Sequence, residues 1–182
     1  MRLCEHPDFD QAIQRAAAHF KARGLRPAIL EKDYYVTEAL RENATAAGDH
    51  VIFKGGTSLS KGWGLIERFS EDIDLLVNPS AENARLWIMA LSRLPDGASK
   101  ELASEPDVFR DDTRYAIRIN DEFTVDVMPS AGGLSWKELA PHVVRIMIDD
   151  VPVRILDLPG LLLTKQGLRP KDQMDAAVIA AA

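Results

Sequence analysis

Two aspartates one residue apart, Asp72 and Asp74 in SEDIDLLV, sit shortly after a Gly-Gly-Thr-Ser run at Gly55 to Ser58. Alternate residues of a strand project from one face, with Cα atoms about 6.5–7 Å apart, so both carboxylates address one site while Ile73, Leu75 and Val77 face a core. Two carboxylates this close repel each other, and a divalent cation between them is what best keeps both ionised at neutral pH. Oxygen-only ligands favour Mg²⁺ or Mn²⁺ over zinc. The four histidines, His6, His19, His50 and His142, have no metal-ligand spacing, and the single cysteine, Cys4, excludes a cysteine-rich zinc site.

Gly55 and Gly56 permit a sharp strand-to-helix turn. The exposed amides of the following helix, with the Thr57 and Ser58 hydroxyls, form a cradle for an anion, and phosphate is its natural occupant. Lys61 and Arg68 can add charge-assisted contacts. Amides holding a triphosphate and aspartates holding the metal that bridges its oxygens are the complementary halves of a phosphoryl-transfer site. A two-metal reaction wants a third carboxylate. Asp126 supplies it in FTVDVMP, where Phe123, Val125 and Val127 take the opposite face of the strand.

The elements that must hold these groups are legible along the chain. Phe9, Ile13, Ala16, Ala17 and Phe20 recur at helical spacing before Gly24, and Pro27 opens a second helix running to about Ala46. Glu31, Lys32 and Asp33 read as its charged surface. Val51 to Phe53 is a buried-strand pattern, Thr57 to Ile66 a short helix and Asp72 to Val77 a second strand. Ser80 caps a helix whose stripe is Leu86, Trp87, Ala90, Leu91 and Leu94. A polar connection follows between Pro95 and Pro106. RYAIRI and FTVDVM form a hairpin around Asn120 and Asp121, and RIMID and VPVRIL pair around Asp149 and Asp150. Asp157 caps a helix containing LLLTKQ, and Pro170 opens the last one.

The length of 182 residues suits one domain: N-terminal helices over 8–46, a catalytic sheet core over 50–157 and a C-terminal helical segment over 158–182. A net charge of −6 excludes coating of nucleic acid by bulk charge, so any nucleic-acid site must be a focused one. One cysteine fits a reducing compartment, with cytoplasm the expectation, and no apolar run approaches a membrane span.

GGTSLSKGWGLIERFSEDIDL resembles the signature of the DNA polymerase β-type nucleotidyltransferase superfamily. EKDYYVTEAL, FKGGTSLSK and RFSEDIDL together resemble the AbiEii/AbiGii-type toxin nucleotidyltransferases, which include the MenT toxins, over about Glu31 to Asp175. The resemblance implies an α+β polymerase-β-like fold, a mixed sheet flanked by helices, and metal-dependent transfer of a nucleoside monophosphate from a triphosphate with release of pyrophosphate. It implies metal binding by Asp72 and Asp74, with Asp126 completing that site and orienting or activating the acceptor hydroxyl. Gly56, Thr57 and Ser58 would hold phosphates. Lys165, followed by Arg169, Lys171 and Asp172, resembles the family's downstream lysine and Arg/Lys-Asp motif, so Lys165 would contact the triphosphate and Asp172 would organise that lysine or arginine. The implied acceptor is an RNA, most plausibly a tRNA 3′ end, and the implied partner a cognate antitoxin, in a toxin-antitoxin or phage-defence pair. Nucleotidyl transfer to a protein or small-molecule hydroxyl, and nucleotide binding without turnover, are the alternatives that the residues leave open.

Overall fold

The computed structural model describes residues 2–67, 72–110, 115–167 and 169–182. A six-stranded mixed sheet carries the site, built from β1 (Val51–Lys54), β2 (Asp72–Val77), β3 (Ile117–Asn120), β4 (Thr124–Met128), β7 (Val143–Ile148) and β8 (Val151–Leu156). Their order across the sheet is β3-β4-β2-β1-β8-β7. The β2–β4 and β1–β8 pairs are parallel, and the β1–β2, β3–β4 and β7–β8 pairs antiparallel. Both expected hairpins form, and the turn between β7 and β8 places Asp149 at φ 53.

One sheet face is covered by α1 (Phe9–His19), α2 (Pro27–Ala46) and α4 (Ala81–Leu91). In α1 the buried residues are Phe9 and Ile13, four apart, and the Phe9 ring meets Tyr34 and Tyr35 of α2 at 5.2 and 5.9 Å. Gly24, at φ 69, terminates that N-terminal segment before Pro27 starts α2. Ser80 caps α4 by accepting from the Asn83 amide, and Trp87 and Leu91 are fully enclosed. These residues, with Phe53, Ile73, Leu75, Val125 and Val127, make the larger core.

The opposite face is divided. Ile52 and Leu76 lie at one end of it, packed with Leu59, Leu156, Leu161 and Ile179 into a second core. The covering elements are α3 (Gly55–Thr57), the hairpin of β5 (Ser130–Ala131) and β6 (Leu134–Ser135), α5 (Trp136–Leu139), α6 (Leu158–Leu163) and α7 (Pro170–Ala180). At the other end the same alternation brings up Lys54, Asp72, Asp74 and Asp126, and that end is left open.

Two segments depart from the sequence expectation. The helix expected over Thr57–Ile66 ends at Gly62, because α3 widens into a π-helical coil over Ser58–Gly62 in which the Trp63 amide donates to the Ser58 carbonyl at 3.1 Å. Trp63 then tethers the coil through its indole N–H, which donates to the Leu156 carbonyl at 3.2 Å. The polar connection after Pro95 contains a 3₁₀ helix, Ala98–Ser104, fixed by the buried Ser99 hydroxyl donating to Ile88 O at 2.9 Å. Among the described residues no helix is long and apolar enough to cross a membrane.

Candidate active site

Ile73 and Leu75 are sealed in the core, so Asp72 and Asp74 emerge together on the open face. Parallel pairing of β2 with β4 sets Asp126 directly opposite Asp74. Antiparallel pairing on either side adds Lys54 opposite Asp74 and Arg118 opposite Asp126. The result is one row across four strands, Lys54–Asp74–Asp126–Arg118, with two adjacent anions flanked by a cation at each end. Like charges directly opposite one another destabilise a sheet, and here the flanking cations offset them. The Lys54 Nζ lies 3.6 Å from Asp74 Oδ1. Arg118 donates from Nε and Nη2 to the two Asp126 oxygens at 2.8 Å each. Hydrogen bonding to Asp126, with the charges of Asp126, Asp72 and Asp74, raises the Arg118 pKa further above its ordinary value.

The glycine turn meets this row at Asp74. Gly55 has φ +80, and a Cβ there would lie 1.9 Å from Asp74 Oδ2. A side chain is therefore excluded by both conformation and space. The Thr57 and Ser58 hydroxyls do not open into the site as expected. Both residues are buried, Thr57 donating to Asp72 O at 2.7 Å and Ser58 to Gly55 O at 2.8 Å. A buried hydroxyl requires a partner, and these two find theirs in the backbone, Thr57 tying the turn to β2 and Ser58 closing the turn on itself. It is the Gly55 and Gly56 backbone that lines the groove.

Lys61 is also engaged elsewhere. Its Nζ pairs with Asp33 Oδ1 at 2.8 Å, donates to Thr37 Oγ1 at 3.0 Å and lies 3.8 Å from Asp149 Oδ2. The aspartate of the EKDYY segment thus anchors the coil after the glycine turn to α2. Arg68 lies outside the described residues.

Lys165 follows α6 and reaches two carboxylates, Asp172 Oδ1 at 3.2 Å and Asp175 Oδ2 at 2.9 Å. These are three apart on α7, hence on one face of that helix. Asp175, only 1% exposed, was not singled out from the sequence, although the Asp172-to-Asp175 interval was a visible signal. Asp175→Asn is expected to leave Lys165 less firmly held, raising the KM for nucleoside triphosphate about 10-fold with a smaller change in kcat. An unchanged KM would show that Asp172 alone positions the lysine.

These elements enclose a groove of about 1020 Å³ lined by Asp72, Asp74 and Asp126 together with Lys165, Lys171 and Asp172. Lys54, Arg118 and Arg169 line it as well, so its cations surround the acidic trio. Three carboxylates, with neither imidazole nor thiol among them, suit a hard divalent cation in kind. Their backbone positions suit it too. Their side chains are not gathered around one point: Asp126 is turned onto Arg118 and Asp74 is 3.6 Å from Lys54. Accordingly, among the described residues no three acidic, histidine or cysteine side chains form a metal-sized cluster. Asp72, Asp74 and Asp126 are the residues that would hold the cation, once Asp126 yields at least one oxygen from Arg118.

Comparison with known proteins identifies the family. A family model described as nucleotidyl transferase AbiEii toxin, type IV TA system, matches residues 38–165. No curated protein and no solved structure matches the chain. The matched span takes in the glycine turn, the charged row and Lys165, while Asp172 and Asp175 lie beyond it. On a match over well more than half of its length, the chain belongs to the AbiEii nucleotidyl transferase toxin family of type IV toxin-antitoxin systems.

Proposed function

We propose that this chain transfers a nucleoside monophosphate from a nucleoside triphosphate to an RNA hydroxyl, releasing pyrophosphate, as the toxin of its pair. The observation that carries the reading is the placement of Asp74 and Asp126 on neighbouring strands beside the Gly55 turn. The turn's backbone and Lys165 address the leaving phosphates, and the carboxylates address the α-phosphate and the acceptor. Mg²⁺ or Mn²⁺ bound there would neutralise charge on the phosphate oxygens and lower the pKa of the acceptor hydroxyl.

In the transfer, the acceptor oxygen gives up its proton toward Asp126 and bonds to the α-phosphorus. The bond from that phosphorus to the α,β-bridging oxygen breaks, and the electron pair leaves on pyrophosphate, whose charge Lys165 meets. Asp172 and Asp175 hold Lys165 along the groove so that its charge does not have to be repositioned during the reaction. A tRNA 3′ end is the acceptor we favour. The antitoxin of the pair is the partner that restrains the activity, and the single cysteine suits a cytoplasmic site of action.

The test is labelling of cell extract by purified protein with Mg²⁺ and each of the nucleoside triphosphates. Label in the α position is expected to enter material destroyed by RNase, and label in the γ position is not. Asp72→Ala is expected to give no transfer. Protease-sensitive product would move the acceptor to protein, and equal labelling by the Asp72 variant would overturn the site.

A further inference from the structure

Arg118 is not among the residues that the sequence singled out, and its setting is unusual for a purely structural arginine. It stands on β3, which among the described residues is an edge strand pairing only with β4. Its side chain is 60% exposed while the Asp126 side chain it grips is 15% exposed. The bidentate contact uses Nε and Nη2. Nη1 has no hydrogen-bond partner among the described residues, so N–H groups of the fixed guanidinium fork remain available to a ligand. Beside it on the groove lining are the small Ala116, two residues back, and Met128 of β4.

The order of the sheet decides which ligand this is. The Gly55–Gly56 turn follows β1, and Arg118 lies at the far side of β4, so Asp74 and Asp126 stand between them. In phosphoryl transfer the attacking and leaving oxygens are roughly in line through the phosphorus. With the leaving pyrophosphate on the turn side, the acceptor enters from the β4–β3 side and passes Arg118 to reach Asp126. A hydroxyl at the 3′ end of a polynucleotide brings a phosphodiester on the same ribose. A serine, threonine or tyrosine hydroxyl brings no such anion. A guanidinium fork matches a phosphate bidentately as it does a carboxylate, and the Arg118 side chain, 60% exposed, can be reached by one.

We infer that Arg118 binds the terminal phosphodiester of a polynucleotide acceptor, setting the 3′ hydroxyl against Asp126. The inference rests on the nucleotidyltransferase reading with an RNA acceptor and adds to it the residue that grips that acceptor. Exchange of Arg118 from Asp126 to this phosphate also frees the carboxylate at the moment the acceptor arrives.

The experiment compares wild type, Arg118→Gln and Arg118→Lys in two binding measurements. The first is anisotropy of a fluorescent single-stranded RNA of about eight nucleotides with a free 3′ hydroxyl, titrated at several salt concentrations. The second is calorimetry of each nucleoside triphosphate with Mg²⁺. Arg118→Gln is expected to weaken RNA binding about 10-fold and to flatten the slope of log affinity against log salt by about 0.7, the value for one phosphate contact on a single strand. Arg118→Lys is expected to keep the slope and lose part of the affinity. Triphosphate affinity is expected to stay within about twofold in both variants. Unchanged RNA affinity and slope in the Gln variant would overturn the inference. So would failure of the wild type to bind RNA, or a parallel fall in triphosphate affinity. Failure of wild type to bind any triphosphate would sink the nucleotidyltransferase reading itself, whatever the RNA titration shows.

Discussion

Gly55→Ala is expected to reduce nucleotidyl transfer by at least about 100-fold, well beyond what its loss of stability explains. Two effects combine at this position. The backbone sits at φ +80, where an L side chain costs about 1–2 kcal/mol. The added Cβ would also stand 1.9 Å from Asp74 Oδ2 and 2.7 Å from Asp74 Cγ, so the carboxylate must swing out of the row it shares with Asp126. A control separates the two effects. Gly24 has φ +69 with nothing within 4 Å of an added Cβ, so Gly24→Ala should lose comparable stability and retain transfer. Thermal melts and transfer rates of both variants check this. Equal activity losses in the two would show that strain alone, and not the contact with Asp74, is responsible.

Asp74→Ala should do more than remove one of the carboxylates proposed to hold the cation. Lys54 is only 8% exposed and has Asp74 as its opposite number in the row. Removing the carboxylate strands a largely buried ammonium. The expected destabilisation is about 2 kcal/mol, below the roughly 3–5 kcal/mol of a tight, fully buried pair, because the separation is 3.6 Å and Asp74 is partly exposed. Transfer should fall on the order of 10³-fold or more. The double variant Lys54→Met/Asp74→Ala should recover most of the stability and none of the activity. If denaturant melts show the double variant no more stable than Asp74→Ala, Lys54 is held by something other than the charged row.

Much of this site could be read locally. The alternation of Asp72, Ile73, Asp74 and Leu75 determines which residues share a face, whatever the strand pairs with. The same holds for Val125, Asp126 and Val127. Ser80, Asp157 and Pro27 mark helix starts by chemistry confined to a few residues, and all three mark them in the structure. The direction of the Thr57 and Ser58 hydroxyls was not legible, because a hydroxyl beside a glycine turn can face either a ligand or the backbone, and only burial decides between these. The contacts of Lys61 were not legible for a related reason: its partners, Asp33, Thr37 and Asp149, come from α2 and from the β7–β8 turn.

The residues missed share one property. Lys54, Arg118 and Asp175 matter because of what lies across a strand pair or a helix contact, not because of their neighbours in the chain. The sequence alone determined the family, since a glycine turn, an Asp-x-Asp strand and a later strand aspartate are short-range patterns fixed by backbone periodicity. Tertiary structure decided the register that aligns Lys54, Asp74, Asp126 and Arg118 in one row. That register depends on long-range strand pairing, where a slip of a single residue would turn every one of these side chains to the opposite face.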